Sequence, residues 1–354
     1  MQPSESSGTR VDLRDGFSDQ LQPTVPLDLT SVESFSDLLE AMSRTAFGGR
    51  NLGEAADVLY NMVADPDCFV VGTFSGAMTI AKMGLLLSDM IEGGMLDAVV
   101  STGALMAHGF VEASGRTHFK YDPSMDDREL YYRGYNRVYD TLELEQNLDD
   151  IFHILVRVLE SVDPDQVLSS HKLNRLLGTH LLEQGVGRGI LQSACERQVP
   201  VYVPAFSDSE LGLDFAFYNR QRRAAGKSTF GFDPFLDLDD YADRVRPHTT
   251  LGIFTIGGGV PRNWAQQVGP YLDYIQKRIG EGGAFRRFTY GVRICPEPVH
   301  WGGLSGCTYA EGISWGKFVP PDEGGQFAEV ACDATIAWPL LVKSVQERLA
   351  ARTT

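Results

Sequence analysis

Long apolar runs are missing from this 354-residue chain. The most apolar stretch, Cys68 to Leu87, is broken by Lys82 and three glycines. It reads as strand, turn and helix rather than as a membrane span. Basic residues are the scarcer charge: 31 Lys and Arg against 47 Asp and Glu leave a net charge of −16. Without clustered Lys and Arg there is nothing to grip a phosphate backbone, so nucleic acid is excluded as a partner. Cysteine is sparse: five residues at 68, 195, 295, 307 and 332, with no CxxC pair. That pattern reads as reduced thiols of a cytoplasmic protein rather than a disulfide framework. The seven histidines (108, 118, 153, 171, 180, 248 and 300) show no HxxxH or HExxH spacing, and the HxE plus PCxxC elements of a deaminase are missing. No metal site is expected on these grounds. The N-terminus carries no apolar segment of signal-peptide type.

What is present is ordinary globular composition, 43% hydrophobic and 22% charged. Residues 1–29 are rich in Ser, Pro, Asp and Gln without a period and read as a mobile arm; residues 30–354 read as a single domain. Thr30-Ser31-Val32-Glu33 has the spacing of a capping box, and Val32, Phe35, Leu38, Leu39 and Met42 continue at helical spacing up to Gly48-Gly49. Short buried-strand patterns follow at 68–71, 97–101, 199–204, 251–256, 288–294 and 329–332. The stretch 104–198 between them reads as mostly helical, with an aromatic run at Tyr131 to Tyr135. Strand, small-residue turn and helix in alternation predict an α/β protein: a Rossmann-like, doubly wound, mostly parallel sheet with helices on both faces.

Ligands of such sheets bind outside the carboxyl ends of the strands. Four strand ends carry small or polar residues: Gly72 to Gly76, Ser101 to Ala104, Ser207 to Ser209, and Gly257 to Gly259. Each precedes a helix, whose free N–H groups suit a phosphate. Together they suggest a nucleotide or dinucleotide site, although GxGxxG is absent. Asp208 is placed either to hold a ribose hydroxyl or to cap the following helix. The string Tyr309 to Phe318 sets Lys317 beside Trp315 and Phe318 in an apolar, glycine-rich context. Burial there would lower the lysine pKa and supply a neutral amine, the nucleophile of imine chemistry; a solvated lysine is the plainer alternative. Glu311 and the face of Trp315 could hold a cationic amine.

Several blocks resemble deoxyhypusine synthase: Gly257-Gly258-Gly259-Val260, Glu311 to Lys317 ending in Ser-Trp-Gly-Lys, and Asp333-Ala334 before Trp338-Pro339-Leu340-Leu341. Asn51-Leu52-Gly53, the turn from Gly72 to Thr79, and Pro200 to Asp208 lie in the same order, so the resemblance spans roughly 48–345. It implies a homotetramer with NAD and amine sites near subunit interfaces. It further implies an NAD-dependent aminoalkyl transfer from a polyamine or related small cationic amine through a lysine imine. By position, Lys317 would form the imine, and Trp315, Glu311 and Ser305 would bind the amine. Ser75, Thr79, Thr102, Gly103, Ala104, Asp208, Gly257, Gly258, Asp333 and Ala334 would contact NAD. Some positions depart from the family pattern. An acidic pair is replaced by Ala107-His108, an amine-binding Asp by Leu213 with Asp214 one place late, a His by Asn263, and an Asp by Leu304. His108, Asp214 and Asn263 are therefore taken as the altered amine-recognition set. Homospermidine synthase-type transfer, net amine dehydrogenation, and non-catalytic NAD or amine binding are the other readings.

Overall fold

The computed structural model describes residues 13–185, 187–281, 285–302 and 307–353. The first twelve residues of the arm and Ser305 and Leu304 lie outside them. Within the described part of the arm, residues 13–28 are exposed except for the partly buried Gly16, and the Val25 N–H donates to the Arg44 carbonyl at 2.9 Å.

In chain order the strands are β1 (Cys68–Phe74), β2 (Ala98–Ser101), β3 (Phe119–Lys120), β4 (Tyr135–Val138), β5 (Thr141–Leu144), β6 (Val201–Tyr202), β7 (Thr250–Ile256), β8 (Phe288–Ile294) and β9 (Gln326–Val330). The helices are α1 (Phe35–Ser43), α2 (Phe47–Ala64), α3 (Gly84–Glu92), α4 (Gly103–Ala113), α5 (Asp127–Tyr132), α6 (Glu145–Glu160), α7 (Ser170–Gln184) and α8 (Ile190–Arg197). They continue as α9 (Glu210–Ala224), α10 (Phe235–Val245), α11 (Gly259–Gln266), α12 (Val268–Ile279), α13 (Tyr309–Ser314) and α14 (Ala334–Thr353).

Six strands form one parallel sheet in the order β6-β2-β1-β7-β8-β9. The chain winds outward from β1 to β2 and β6, then returns past β1 to β7 and winds the other way. The switch point lies between β1 and β7. Strand pleating sorts the apolar residues into two cores. Val70, Phe74, Phe254 and Ile256 face one side, under α2, α3, α4 and α14, with Trp338 fully buried among them. Phe69, Val71, Leu251 and Ile253 face the other, under α10, α11 and α12. This is the expected doubly wound α/β architecture.

Element boundaries differ from the sequence reading in ways that caps explain. The first helix starts at Phe35, because Ser34 rather than Thr30 accepts from the Asp37 N–H. Gly48 and Gly49 lie inside α2 rather than ending a helix. The last helix starts at Ala334, since Asp333 accepts from the Thr335 N–H at 2.7 Å. The stretch 104–198 holds an antiparallel sheet of order β3-β5-β4 that helical periodicity hid. Its strands are two to four residues long, too short for an alternation to register. Among the described residues no helix is long and apolar enough to cross a membrane.

Candidate active site

At the carboxyl ends of β1, β2, β6 and β7 the four small-residue turns meet around a cavity of about 220 Å³. Ser75, Thr102, Gly103, Asp208, Gly258 and Gly259 are among its walls. The turns hold one another. Ser75 Oγ accepts from the Gly258 N–H at 3.0 Å and donates to the Gly258 carbonyl. The Thr102 hydroxyl bonds the Gly76 carbonyl and caps α4 by accepting from the Leu105 N–H at 3.3 Å. Gly257 adopts φ +78°, and a Cβ there would lie 3.0 Å from Ser75 Cβ. At Gly103 a Cβ would lie 2.3 Å from Ser209 Cβ, so only glycine lets the starts of α4 and α9 approach.

Three helices thus present their N-termini to one cavity: α4 at Thr102-Gly103, α9 just beyond Asp208, and α11 at Gly258-Gly259. Free N–H groups and aligned dipoles there favour an anion without any lysine or arginine. Asp208 adds one exposed carboxylate to the rim. Pyrophosphate over the helix starts and a ribose hydroxyl on Asp208 would satisfy this donor set, so the cradle fits a dinucleotide.

The other expected cofactor contacts are not among the residues lining this cavity. Thr79 is buried, its hydroxyl bonded to the Leu105 carbonyl at 2.9 Å, and it pins the turn after β1 to α4 rather than meeting the cavity. Ala104 follows Gly103 on α4, and Gly257 sits beneath Ser75. Asp333 spends an oxygen capping α14, and Ala334 is buried at that helix's start. A larger hollow of about 480 Å³, lined by His171, Arg175 and Arg244, opens at the amino end of β6, on the opposite edge of the sheet.

Lys317 follows α13 through a turn at Gly316 with φ +68°. Its N–H donates to the Gly312 carbonyl at 3.1 Å, and its carbonyl accepts from Phe288 at 2.9 Å. The fully buried Phe318 anchors the next position. The side chain is therefore aimed from a fixed backbone, and the residue is only 9% exposed. Nζ lies 3.1 Å from Asn263 Oδ1 and 6.0 Å from the Trp315 ring centre. Burial pulls the Lys317 pKa below its ordinary value, and the Arg262 charge acts in the same sense; Cys307 and Glu311 oppose them. Asn263 sits on α11 four residues beyond Gly259, about 6 Å along the helix axis. One helix turn therefore links the lysine's partner to the cavity wall.

Glu311 is exposed on α13, its N–H donating to Thr308 Oγ1 at 3.1 Å, and Trp315 is 67% exposed. Asp214 is half-buried on α9, one turn from Glu210. Burial pushes its pKa up to about 6, helped by the charges of Glu210 and Asp149. His108 is not on the cavity: it is buried, with Nδ1 3.2 Å from Glu143 Oε2.

A frame of charged residues behind the lysine was not anticipated. Arg262 is 3% exposed and donates to the Cys307 carbonyl at 2.6 Å, its guanidinium 5.3 Å from the Tyr309 ring centre. Arg293 reaches the same carbonyl at 3.1 Å and pairs with Glu329 at 3.1 Å, while Glu329 also accepts from the Tyr309 N–H. Of the two arginines only Arg293, inside the apolar run Tyr290 to Cys295, carried a sequence signal.

Sheet order, switch-point cavity and buried lysine define a doubly wound α/β protein with a small-residue crevice at its switch point and a buried amine one helix turn away. The profile of the deoxyhypusine synthase family matches residues 37–345. The protein named "Probable deoxyhypusine synthase 2" of Methanosarcina acetivorans is 32% identical over 327 residues, 92% of this chain and 90% of that protein. The "Deoxyhypusine synthase-like protein" of Chlorobaculum parvum is 32% identical over 306 residues, 86% of this chain and 84% of that protein. In fold, a structure from Entamoeba histolytica assigned as a deoxyhypusine synthase gives a TM-score of 0.57 at 13% identity, covering 90% of this chain and 94% of that one. A complex of AgrE with ornithine and NAD+ gives 0.50 at 11% identity, over 86% of this chain and 34% of that one. The chain belongs to the deoxyhypusine synthase family and is a transferase.

Proposed function

We propose that this protein is an NAD-dependent aminoalkyl transferase that carries the transferred group on Lys317. The observation that carries this reading is the buried Lys317 amine, held by Asn263 one helix turn from the dinucleotide-type cradle. NAD, when bound, would accept a hydride from the carbon bearing the donor's amine and return it to the product. Burial shifts Lys317 toward its uncharged form, and that free amine attacks the oxidised carbon. The donor's remaining amine leaves, and the carbon stays on Nζ as an imine. Asn263 Oδ1 accepts a hydrogen bond from Nζ and so fixes the lone-pair direction. An acceptor amine then attacks the same carbon and frees the lysine. Trp315 offers its ring face to a cationic chain, and Glu311 and Asp214 offer carboxylates to ammonium groups. The departures from the family pattern at Ala107-His108, Leu213-Asp214 and Asn263 favour a small-amine acceptor, of homospermidine synthase type. Trp315 and Val260, 67% and 54% exposed, support a homotetramer in which a second copy covers the site.

Borohydride trapping tests the proposal. With NAD and a panel of polyamines and guanidino-amines, reduction should leave the donor fragment on Lys317, detected by peptide mass spectrometry. Lys317→Ala should lower turnover by about a thousandfold or more. Turnover that persists in Lys317→Ala, with no adduct from any amine, would refute it. Free NADH accumulating in step with amine consumption would instead mark a dehydrogenase.

A further inference from the structure

Away from the cavity, three buried side chains from separate parts of the chain converge. His108 comes from α4, His118 from just before β3, and Glu143 from β5; they are 7%, 6% and 1% exposed. One ligand atom from each lies within 4.8 Å of the others. Both imidazoles point a ring nitrogen at the same oxygen, Glu143 Oε2: His118 through Nε2 and His108 through Nδ1 at 3.2 Å. The rings stand at 70° to each other, so the two nitrogens approach that oxygen from different directions. For zinc bonds of about 2.0–2.1 Å, the edge of a tetrahedron is roughly 3.3 Å, close to the His108–Glu143 spacing; His118 Nε2, now in a short hydrogen bond to Glu143, draws back to that spacing when the ion replaces the shared proton.

What surrounds the three side chains is as telling as their convergence. The far nitrogen of each histidine faces a carboxylate: His118 Nδ1 lies 3.6 Å from Glu112, and His108 Nε2 lies 4.0 Å from Glu210. Glu143 Oε1 accepts from Asn147 Nδ2 at 2.7 Å and from the Leu144 N–H at 3.1 Å. Carboxylates behind histidine ligands, and donors on the free oxygen of a ligating carboxylate, are the supports that fix tautomer and orientation at metal centres. Lys82, half exposed, closes the outer side by bonding Glu112 and standing 2.7 Å from His118 Nδ1.

We propose that His108, His118 and Glu143 bind one zinc(II) ion, with a fourth position left for water. Two imidazoles and one carboxylate form a borderline donor set that suits zinc. On loading through Nε2, His118 carries its proton on Nδ1 toward Glu112, and Lys82 moves off that nitrogen while staying on the carboxylate. The ion ties the antiparallel sheet to α4, the helix whose first residues line the cradle.

The test is a zinc titration of the full chain after chelator treatment, followed by calorimetry and elemental analysis, with cobalt(II) as a visible-absorption probe of imidazole ligation. About one ion per chain is expected, with a rise in melting temperature. His118→Ala and Glu143→Gln should lose the ion, and Glu112→Gln should weaken it by about 10- to 100-fold. The exposed His153→Ala should leave it unchanged. Wild-type protein that takes up no zinc at micromolar concentration would overturn the proposal, and the cluster would then be held by shared protons alone. Binding that survives both ligand substitutions, or is lost in His153→Ala, would also overturn it. The wild-type titration decides the matter even where a substituted chain fails to fold.

Discussion

Lys317 illustrates how one buried amine links stability to chemistry. Its folded-state pKa lies below that of the unfolded chain. Between those two values the folded state binds fewer protons, so stability rises with pH across that window; below it the burial penalty is felt in full. Lys317→Met removes the penalty while keeping the packing. It should melt no lower than wild type at pH 7 and trap no adduct, a pairing measurable by thermal scan and mass spectrometry. Arg262 adds its charge to the same shift, so Arg262→Met should raise the Lys317 pKa and move the rise in activity to higher pH. A pH–rate profile checks this, and Arg262→Lys, which keeps the charge, should largely restore the original profile. Asp214 carries the opposite sign. Its folded-state pKa near 6 exceeds the ordinary 3.8, so the folded state binds more protons and stability falls as pH rises from about 4 to 6. Asp214→Asn should therefore stabilise the protein above pH 6, by about 1 kcal/mol because solvent screens the half-buried group, and change nothing below pH 4. The lysine, Trp315 and Glu311 were legible because they share one unusual string. Arg262, Arg293 and Glu329 were not, since an arginine in a helix or strand announces a buried partner only once the fold is known. The His108, His118 and Glu143 cluster joins residues up to 35 apart, beyond any local spacing rule.

At the scale of elements, the cradle depends on how closely α4 and α9 begin. A methyl group at Gly103 would meet Ser209 Cβ at 2.3 Å, and both atoms belong to rigid helix starts. Gly103→Ala should cost roughly 1–3 kcal/mol by overpacking and weaken NAD binding more than amine binding. Denaturant unfolding and separate ligand titrations read the two effects. The strand-turn-helix rhythm of β1, β2 and β7 was readable because central parallel strands are buried on both faces and appear as apolar runs. Strand β6 was over-read: Val199 to Pro204 looks like six strand residues, yet only Val201–Tyr202 pair. The prolines at both ends supply no N–H to a ladder. The antiparallel sheet stayed hidden for a related reason. Its outer strands β3 and β4 are mostly exposed, so their alternation marks no core face.

At the scale of the whole molecule, net charge says little about the site. The chain carries −16, yet the cradle is neutral but for Asp208 and relies on helix dipoles, while the lysine is backed by two buried arginines. The carboxylates of the proposed amine site are Glu311 and, on α9, Asp214. The amine step should accordingly be salt-sensitive while dinucleotide binding is nearly salt-independent, since partly exposed charges are screened and buried helix ends are not. The architecture also bears on assembly. Cradle and lysine are joined through α11 of a single chain, Gly259 at the cavity and Asn263 at Nζ. In a tetramer each chain would then hold its own pair, the neighbour covering Trp315 and Val260 without supplying either half. Co-expressing an inactive Lys317→Ala chain with an inactive Gly103→Trp chain should therefore restore no activity in the purified hybrid. Recovery of a substantial fraction of wild-type turnover would mean that the cradle of one subunit serves the lysine of the next, and the single-chain geometry would have to give way to a shared site.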